Sequence, residues 1–187
     1  MQADRRKTTS VRFLGPVDIS AIRDDILAIP EEIWSLENAA KPNRFEELYG
    51  TKHIVFRFVD SLDDWRYSHD RSLWLQWKDR LEPVLRQACK PYGYAQGVFP
   101  RVMLARMPAG GVIKPHIDSA PAASWPHKIH VPIVTNLQVR FYVDPHNYHF
   151  EVGQAYEVNN LGPHAVHNAG DTQRIHLIFE YYEDTAI

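Results

Sequence analysis

The sequence predicts a mainly β protein, an antiparallel sandwich or barrel with helices packed on its outside. Two observations carry this expectation. Beyond about residue 95, short apolar or alternating runs recur with turn residues between them, which is the spacing of an all-β core. Ahead of that point, apolar residues fall at helical spacing in two stretches, with a β-branched run between them. At 187 residues the chain is most economically one domain, with 1–95 as a helical and strand support region and 96–187 as the β core.

In chain order, Asp18 is placed to cap a helix whose Ile19, Ile22, Ile26 and Ile29 share one face, and Pro30 ends it. The run His53 to Val59 is β-branched and aromatic, so a strand is expected there. A second helix is expected from Ser72 to Lys90, with Leu73, Trp77, Leu81, Val84 and Leu85 as its buried stripe and Pro83 kinking or dividing it. Trp74 and Trp77 are expected in the core. Later strands are expected at 98–107, 111–118, 128–134, 138–143, 148–152, 154–158 and 173–182. Pro108-Ala109-Gly110-Gly111, Asp144-Pro145-His146-Asn147, Gly153 and Gly162-Pro163 punctuate them.

The formal charge of −2 offers no electrostatic basis for nucleic acid or an anionic membrane as partner. No apolar run approaches the roughly 20 residues of a membrane-spanning helix. Arg5-Arg6-Lys7 is followed by polar Thr8-Thr9-Ser10, so it reads as a solvated, frayed terminus and not as a signal peptide. A cytoplasmic protein is the expectation. The single cysteine, Cys89, excludes a disulfide framework and a thiolate cluster, and its helical setting predicts a small buried hydrophobe.

Eight of the ten histidines fall between His116 and His176, so the chemistry is sought there. In a strand, His116 and Asp118 point to the same face and can converge on one ion. Alone, that pair reads more readily as a surface pair beside a turn. His164 opens a second short apolar run, 46 residues beyond Asp118. Two histidines and one carboxylate, with the other coordination positions open, form the set used by non-haem iron(II) oxygenases. Arg174 lies ten residues after His164, and alternation places Arg174, His176, Ile178 and Glu180 on one face of its strand. A guanidinium inside a β core needs an anion, and the bidentate carboxylate of a small dicarboxylic acid meets that need. The alternative is an ion pair with Glu180 or Asp171. His130 lies on a strand between these segments and either assists at the same carboxylate or is structural.

Together these segments resemble the aspartyl/asparaginyl β-hydroxylase family of 2-oxoglutarate oxygenases, which includes bacterial members acting on free amino acids. The matching pieces are Pro115-His116-Ile117-Asp118, Lys128-Ile129-His130-Val131-Pro132-Ile133 and Tyr156-Glu157-Val158-Asn159-Asn160. They continue with Pro163-His164-Ala165-Val166-His167-Asn168 and Arg174-Ile175-His176-Leu177, in the family's order over residues 98–182. The resemblance implies a double-stranded β-helix core, jelly-roll and cupin-like. It implies Fe(II) held by His116, Asp118 and His164, with no catalytic residue beyond the metal site. Arg174, assisted by His130, is the implied partner of the 2-oxoglutarate carboxylate, and dioxygen is the co-reactant. His164 is preferred to His167 because it leads Arg174 by ten residues. Lys128 departs from the family's usual arginine, and lysine cannot make the same planar contact. Asp118 argues for hydroxylation over halogenation, which needs that coordination position open.

The implied reaction is hydroxylation of an unactivated C–H bond, coupled to decarboxylation of 2-oxoglutarate. The implied substrate is an aspartyl or asparaginyl-like residue in a peptide or protein. The alternative is the same chemistry on a free amino acid or other small metabolite, which a closed pocket with a second buried arginine would favour. A reading from another class is a cupin-like Zn(II)- or Ni(II)-binding protein without oxygenase activity. The loop from Ser119 to His127 is placed as a lid or substrate wall, with Trp125 over the substrate or anchoring the loop. Arg57, Arg106 and Arg140 are the arginines considered for the pocket.

Overall fold

A computed structural model describes Lys7 and residues 9–184. The first half contains β1 (Val11–Pro16), α1 (Ser20–Leu27), α2 (Glu31–Ala40), β2 (Lys52–Ser61), β3 (Asp64–Asp70) and α3 (Trp74–Cys89). Strands then follow one another: β4 (Gly97–Val98), β5 (Val102–Met107), β6 (Val112–His116), β7 (His127–Val134) and β8 (Val139–Val143). The chain finishes with β9 (His146–Tyr148), β10 (Gln154–Val158), β11 (His164–Asn168) and β12 (Arg174–Glu183).

The strands form two antiparallel sheets. The larger has the order β1-β10-β7-β12-β5-β2-β3, with β4 also on β12, and the smaller has the order β6-β11-β8-β9. Met107 and Val158 of the larger sheet pack with Ile113, Phe141, Val143 and Val166 of the smaller one. This is the jelly-roll core that the sequence predicts. A second core lies on the other side of the larger sheet, where Ile22, Ile26, Trp34, Trp77, Leu81 and Leu85 of the helices meet Leu104, Val131 and Leu177.

β12 shows how alternation builds both layers. Ile175, Leu177, Phe179 and Tyr181 enter the helix-backed core. The opposite face turns Arg174, Ile178 and Glu180 into the space between the sheets. α3 runs unbroken through Pro83, and its buried side is Trp74, Trp77, Leu81, Val84, Leu85, Ala88 and Cys89. Burial raises the Cys89 thiol pKa far above its ordinary value, so it is the inert core residue expected.

Several elements differ from the expectation. The strand expected at 148–152 is instead the short β9, within the segment read as a turn. Pro30 ends the first helical run but is also the N-cap of α2, whose first turn carries Glu31 and Glu32. β1 buries only Leu14, and β3 buries nothing, so both are sheet-edge strands without an apolar signature. In β1 the pairing slips between Phe13 and Gly15, and Gly15 takes the positive φ of 116° that this bulge requires. The polar stretch at the N-terminus also differs. Arg5 and Arg6 lie outside the described residues, but Lys7 is not a solvated end. Its backbone carbonyl accepts from Asn159 Nδ2 at 3.2 Å, and its ammonium reaches Asn160 Oδ1 and Ala123 O. The pairing of β1 with β10 carries the chain over this spot. Among the described residues, no helix is long and apolar enough to cross a membrane.

Leu104 is fully buried where the helices meet the larger sheet, whereas Leu75 on α3 is 80% exposed. Leu104→Ala is expected to lower unfolding free energy by about 2–5 kcal/mol, and Leu75→Ala by no more than about 0.5 kcal/mol, in urea titrations followed by circular dichroism.

Candidate active site

His116 closes β6, His164 opens β11, and the two are direct cross-strand partners in the smaller sheet. Asp118 follows β6 by two residues, and its backbone N–H donates to the Asn160 carbonyl at 2.9 Å. One ligand atom from each of His116, Asp118 and His164 lies within 4.8 Å of the others. Both Nε2 atoms are 3.9 Å from Asp118 Oδ1. The imidazole tautomers are set from behind. His116 Nδ1–H donates to the Lys114 carbonyl at 2.8 Å, and His164 Nδ1–H donates to the Gly162 carbonyl at 3.0 Å. Each Nε2 therefore presents a lone pair, and the set of two nitrogens and one oxygen fits a divalent first-row metal with open positions.

The other carboxylate oxygen is held separately. Asp118 Oδ2 accepts from the Lys128 ammonium and from Asn160 Nδ2, the latter at 3.1 Å. Burial alone would raise the Asp118 carboxyl, but Lys128, His164 and these hydrogen bonds outweigh it and keep the group far below the usual carboxylate range. Burial, reinforced by Lys128, lowers His164 to about 4 against the pull of Asp118, so its imidazole is neutral near pH 7. Asn160 is fully buried, donates also to the Ala123 carbonyl at 3.1 Å and receives Lys7 on its Oδ1.

Arg174 is 1% exposed and lies at the start of β12. Its guanidinium carbon is 4.8 Å from the Phe141 ring centroid, and its Nε has no hydrogen-bond partner. Among the described residues no acid pairs with it. Glu180, the alternative partner, is taken by Arg101 instead. Burial lowers the Arg174 pKa to about 9, still cationic at neutral pH. Beside it, His130 Nδ1 and both nitrogens of the buried His176 have no partner. Burial and then Arg174 push both histidines well below their ordinary pKa. A buried cation without an acid partner is costly, and a small-molecule carboxylate would offset that cost at Arg174.

Arg174, His130, Lys128, His116, Asp118 and His164 line one cavity of about 480 Å³. The loop after Asp118 contributes Ser119, Ala120, Pro121 and Ala123 to its wall. Trp125 stacks on Trp65 with ring centroids 5.6 Å apart, so it anchors the loop to β3. The arginines considered from sequence go elsewhere. Arg57 pairs with Asp70 at 2.8 Å, Arg106 with Glu31 at 2.6 Å, and Arg140 donates to the Leu137 and Val139 carbonyls. His167 is exposed, and buried Asn168 ties the turn before β12 through Pro108 and Thr172 carbonyls.

The structure adds four residues that sequence reasoning did not assign. Asn160 and Lys7 support Asp118. Arg101 lines the cavity. His53 on β2 also lines it and accepts from the buried Lys41 ammonium at 3.1 Å, with its own pKa lowered by burial to about 3. Only Asn160 had a sequence signal, as the end of the Tyr156–Asn160 segment.

The sequence model for "Aspartyl/Asparaginyl beta-hydroxylase" matches residues 18–184, and the chain belongs to that family. No curated protein matches it in sequence. Solved structures share the fold at low identity. A 2-oxoglutarate–Fe(II) oxygenase family oxidoreductase from Burkholderia pseudomallei superposes with a TM-score of 0.62 at 14% identity, covering 96% of this chain and 87% of that one. The viral collagen prolyl hydroxylase of Paramecium bursaria Chlorella virus-1, in complex with 2-oxoglutarate, gives 0.58 at 11% identity, covering 94% and 97%. A Pseudomonas putida prolyl-4-hydroxylase gives 0.55 at 12% identity, covering 97% and 96%.

Two outcomes follow. Asn160→Ala is expected to weaken divalent-metal binding by about 10–100-fold, measured by calorimetry with Co(II) or Fe(II) under anaerobic conditions. For pH, His53 is neutral in the fold down to about 3, while the unfolded chain protonates it near 6.5. Its contribution is therefore fully present above pH 6.5 and is lost as pH falls towards 3. The metal-free protein should lose up to about 2 kcal/mol of stability for this histidine between pH 7 and pH 5 in urea titrations, and His53→Gln should flatten that slope.

Proposed function

We propose that this hydroxylase-family chain works as one domain, with His116, Asp118 and His164 holding Fe(II) and Arg174, assisted by His130, binding the distal carboxylate of 2-oxoglutarate. The observation that carries the reading is Arg174, a buried cation without an acid partner on the wall of the cavity that holds the ligand cluster. When bound, the iron supplies dioxygen activation, coupled to conversion of 2-oxoglutarate to succinate and carbon dioxide and to hydroxylation of a substrate C–H bond. The chain's own residues do the positioning. Lys128 and Asn160 hold Asp118 Oδ2, so Oδ1 stays turned to the histidines. Phe141 lies against the guanidinium and limits its access to water. The 119–123 wall and the Trp125 anchor shield the ligand side.

The family's name points to an aspartyl or asparaginyl side chain in a peptide or protein as substrate. One observation favours the second reading, a free amino acid or similar small molecule: the cavity holds a second buried arginine, Arg101. A cytoplasmic setting belongs to the same proposal, supported by the single buried thiol.

Reconstituted with Fe(II), the protein is expected to convert 2-oxoglutarate to succinate, slowly even without substrate, and His116→Ala or His164→Ala should abolish this. Arg174→Ala should weaken 2-oxoglutarate binding by at least about 30-fold, the low end for truncating a buried charged partner. Wild-type protein that binds Zn(II) or Ni(II) but neither binds 2-oxoglutarate nor forms succinate would leave the non-oxygenase reading standing instead.

A further inference from the structure

The cavity has a second charged pole. Glu180 lies six residues beyond Arg174 on the same face of β12, about 20 Å along the strand. Its two carboxylate oxygens accept from Arg101 Nη1 at 2.7 and 2.9 Å. Arg101 and Glu180 side chains are 8% and 4% exposed, and both line the cavity. The guanidinium carbon of Arg101 sits 5.0 Å from the Phe58 ring centroid, and Arg101 Nε is buried without a partner.

Holding the fold does not require this pair. The Glu180 backbone N–H already donates to the Arg101 carbonyl at 2.9 Å, so the two segments are joined without their side chains. A buried ion pair is often no better for stability than apolar side chains of similar volume. What the pair adds is a cation next to an anion, both on the cavity wall. The pole also adjoins the ligand cluster, because Glu180 is the cross-strand partner of Lys128, whose ammonium holds Asp118. The rest of the cavity wall includes the apolar Phe58, Met103, Ile113 and Val166.

Resting on the oxygenase reading, we propose that Arg101 and Glu180 form the head-group subsite for the prime substrate, a free α-amino acid with an apolar side chain. The substrate carboxylate meets the Arg101 guanidinium, its ammonium meets Glu180, and its hydrocarbon part lies along the apolar wall beside the ligand cluster. A residue inside a peptide chain carries neither charge and offers this ion pair no ionic partner. A zwitterion matches both at once, which is how a small molecule is told from a peptide segment with the same side chain.

The test uses the full chain with Fe(II) and 2-oxoglutarate and the free apolar L-amino acids, each beside its N-acetyl and carboxamide forms. At least one free amino acid is expected to accelerate succinate formation and to gain one oxygen atom by mass, and its blocked forms are not. Anaerobic calorimetry should register that amino acid binding to the Fe(II)- and 2-oxoglutarate-loaded protein. The double variant R101M/E180L keeps the volume apolar and should still bind 2-oxoglutarate, while its apparent affinity for the amino acid falls by at least about 30-fold. If that variant does not fold, R101K keeps the charge but loses the planar fork. It should raise the KM for the amino acid while leaving that for 2-oxoglutarate within about threefold. Equal stimulation by an end-blocked peptide, unchanged amino-acid binding in the variants, or no stimulation by any free amino acid while succinate forms would each overturn the subsite. Failure to bind 2-oxoglutarate at all would instead overturn the oxygenase reading beneath it.

Discussion

Arg174 places a guanidinium between two β-sheets, over the face of Phe141. Desolvating a cation there is unfavourable unless something anionic meets it. The surroundings do not relieve it, since His130 and His176 are held neutral and Glu180 is committed to Arg101. This constraint organises the interior. The jelly roll closes around a polar gap with a net demand for anions at one end, and apolar packing takes up the rest of the inter-sheet space. The strand that carries Arg174 is the same strand whose other face knits the helix-backed core, so the cavity and the fold share one backbone.

The cluster of His116, Asp118 and His164 has the opposite electrostatic logic. Asp118 is an anion surrounded by donors: Lys128 and Asn160 on Oδ2, with Lys7 one step further out on Asn160. A lysine at 128 acts as a point charge on a single oxygen, where a guanidinium would present a planar fork to both. That leaves Oδ1 turned to His116 and His164. The backbone carbonyls of Lys114 and Gly162 complete the arrangement by fixing which imidazole nitrogen carries the proton.

Legibility followed periodicity. Helix α3 and strands β7, β8, β10 and β12 were visible because one side of each is continuously buried, and burial writes a 3.6- or 2-residue rhythm into the chain. α2 was hidden because Pro30 serves both as the stop of one helix and the cap of the next. β1 and β3 were hidden because edge strands bury almost nothing. At the cavity, His116, Asp118, His164 and Arg174 stood out because their spacing is short or recurrent within a strand pattern. Arg101 did not, because the residue that makes it part of the cavity, Glu180, is 79 positions away.

By itself the sequence determined the fold class, the family and the side chains placed on the inner faces of β6, β11 and β12, because each depends on local rhythm and short motifs. Tertiary structure decided which charges meet. It gave Glu180 to Arg101 and left Arg174 alone, stacked Trp125 on Trp65, and brought Lys7 and Asn160 behind Asp118. Those pairings arise from strand order and sheet closure, which join residues 42 to 153 positions apart, and no local pattern encodes them.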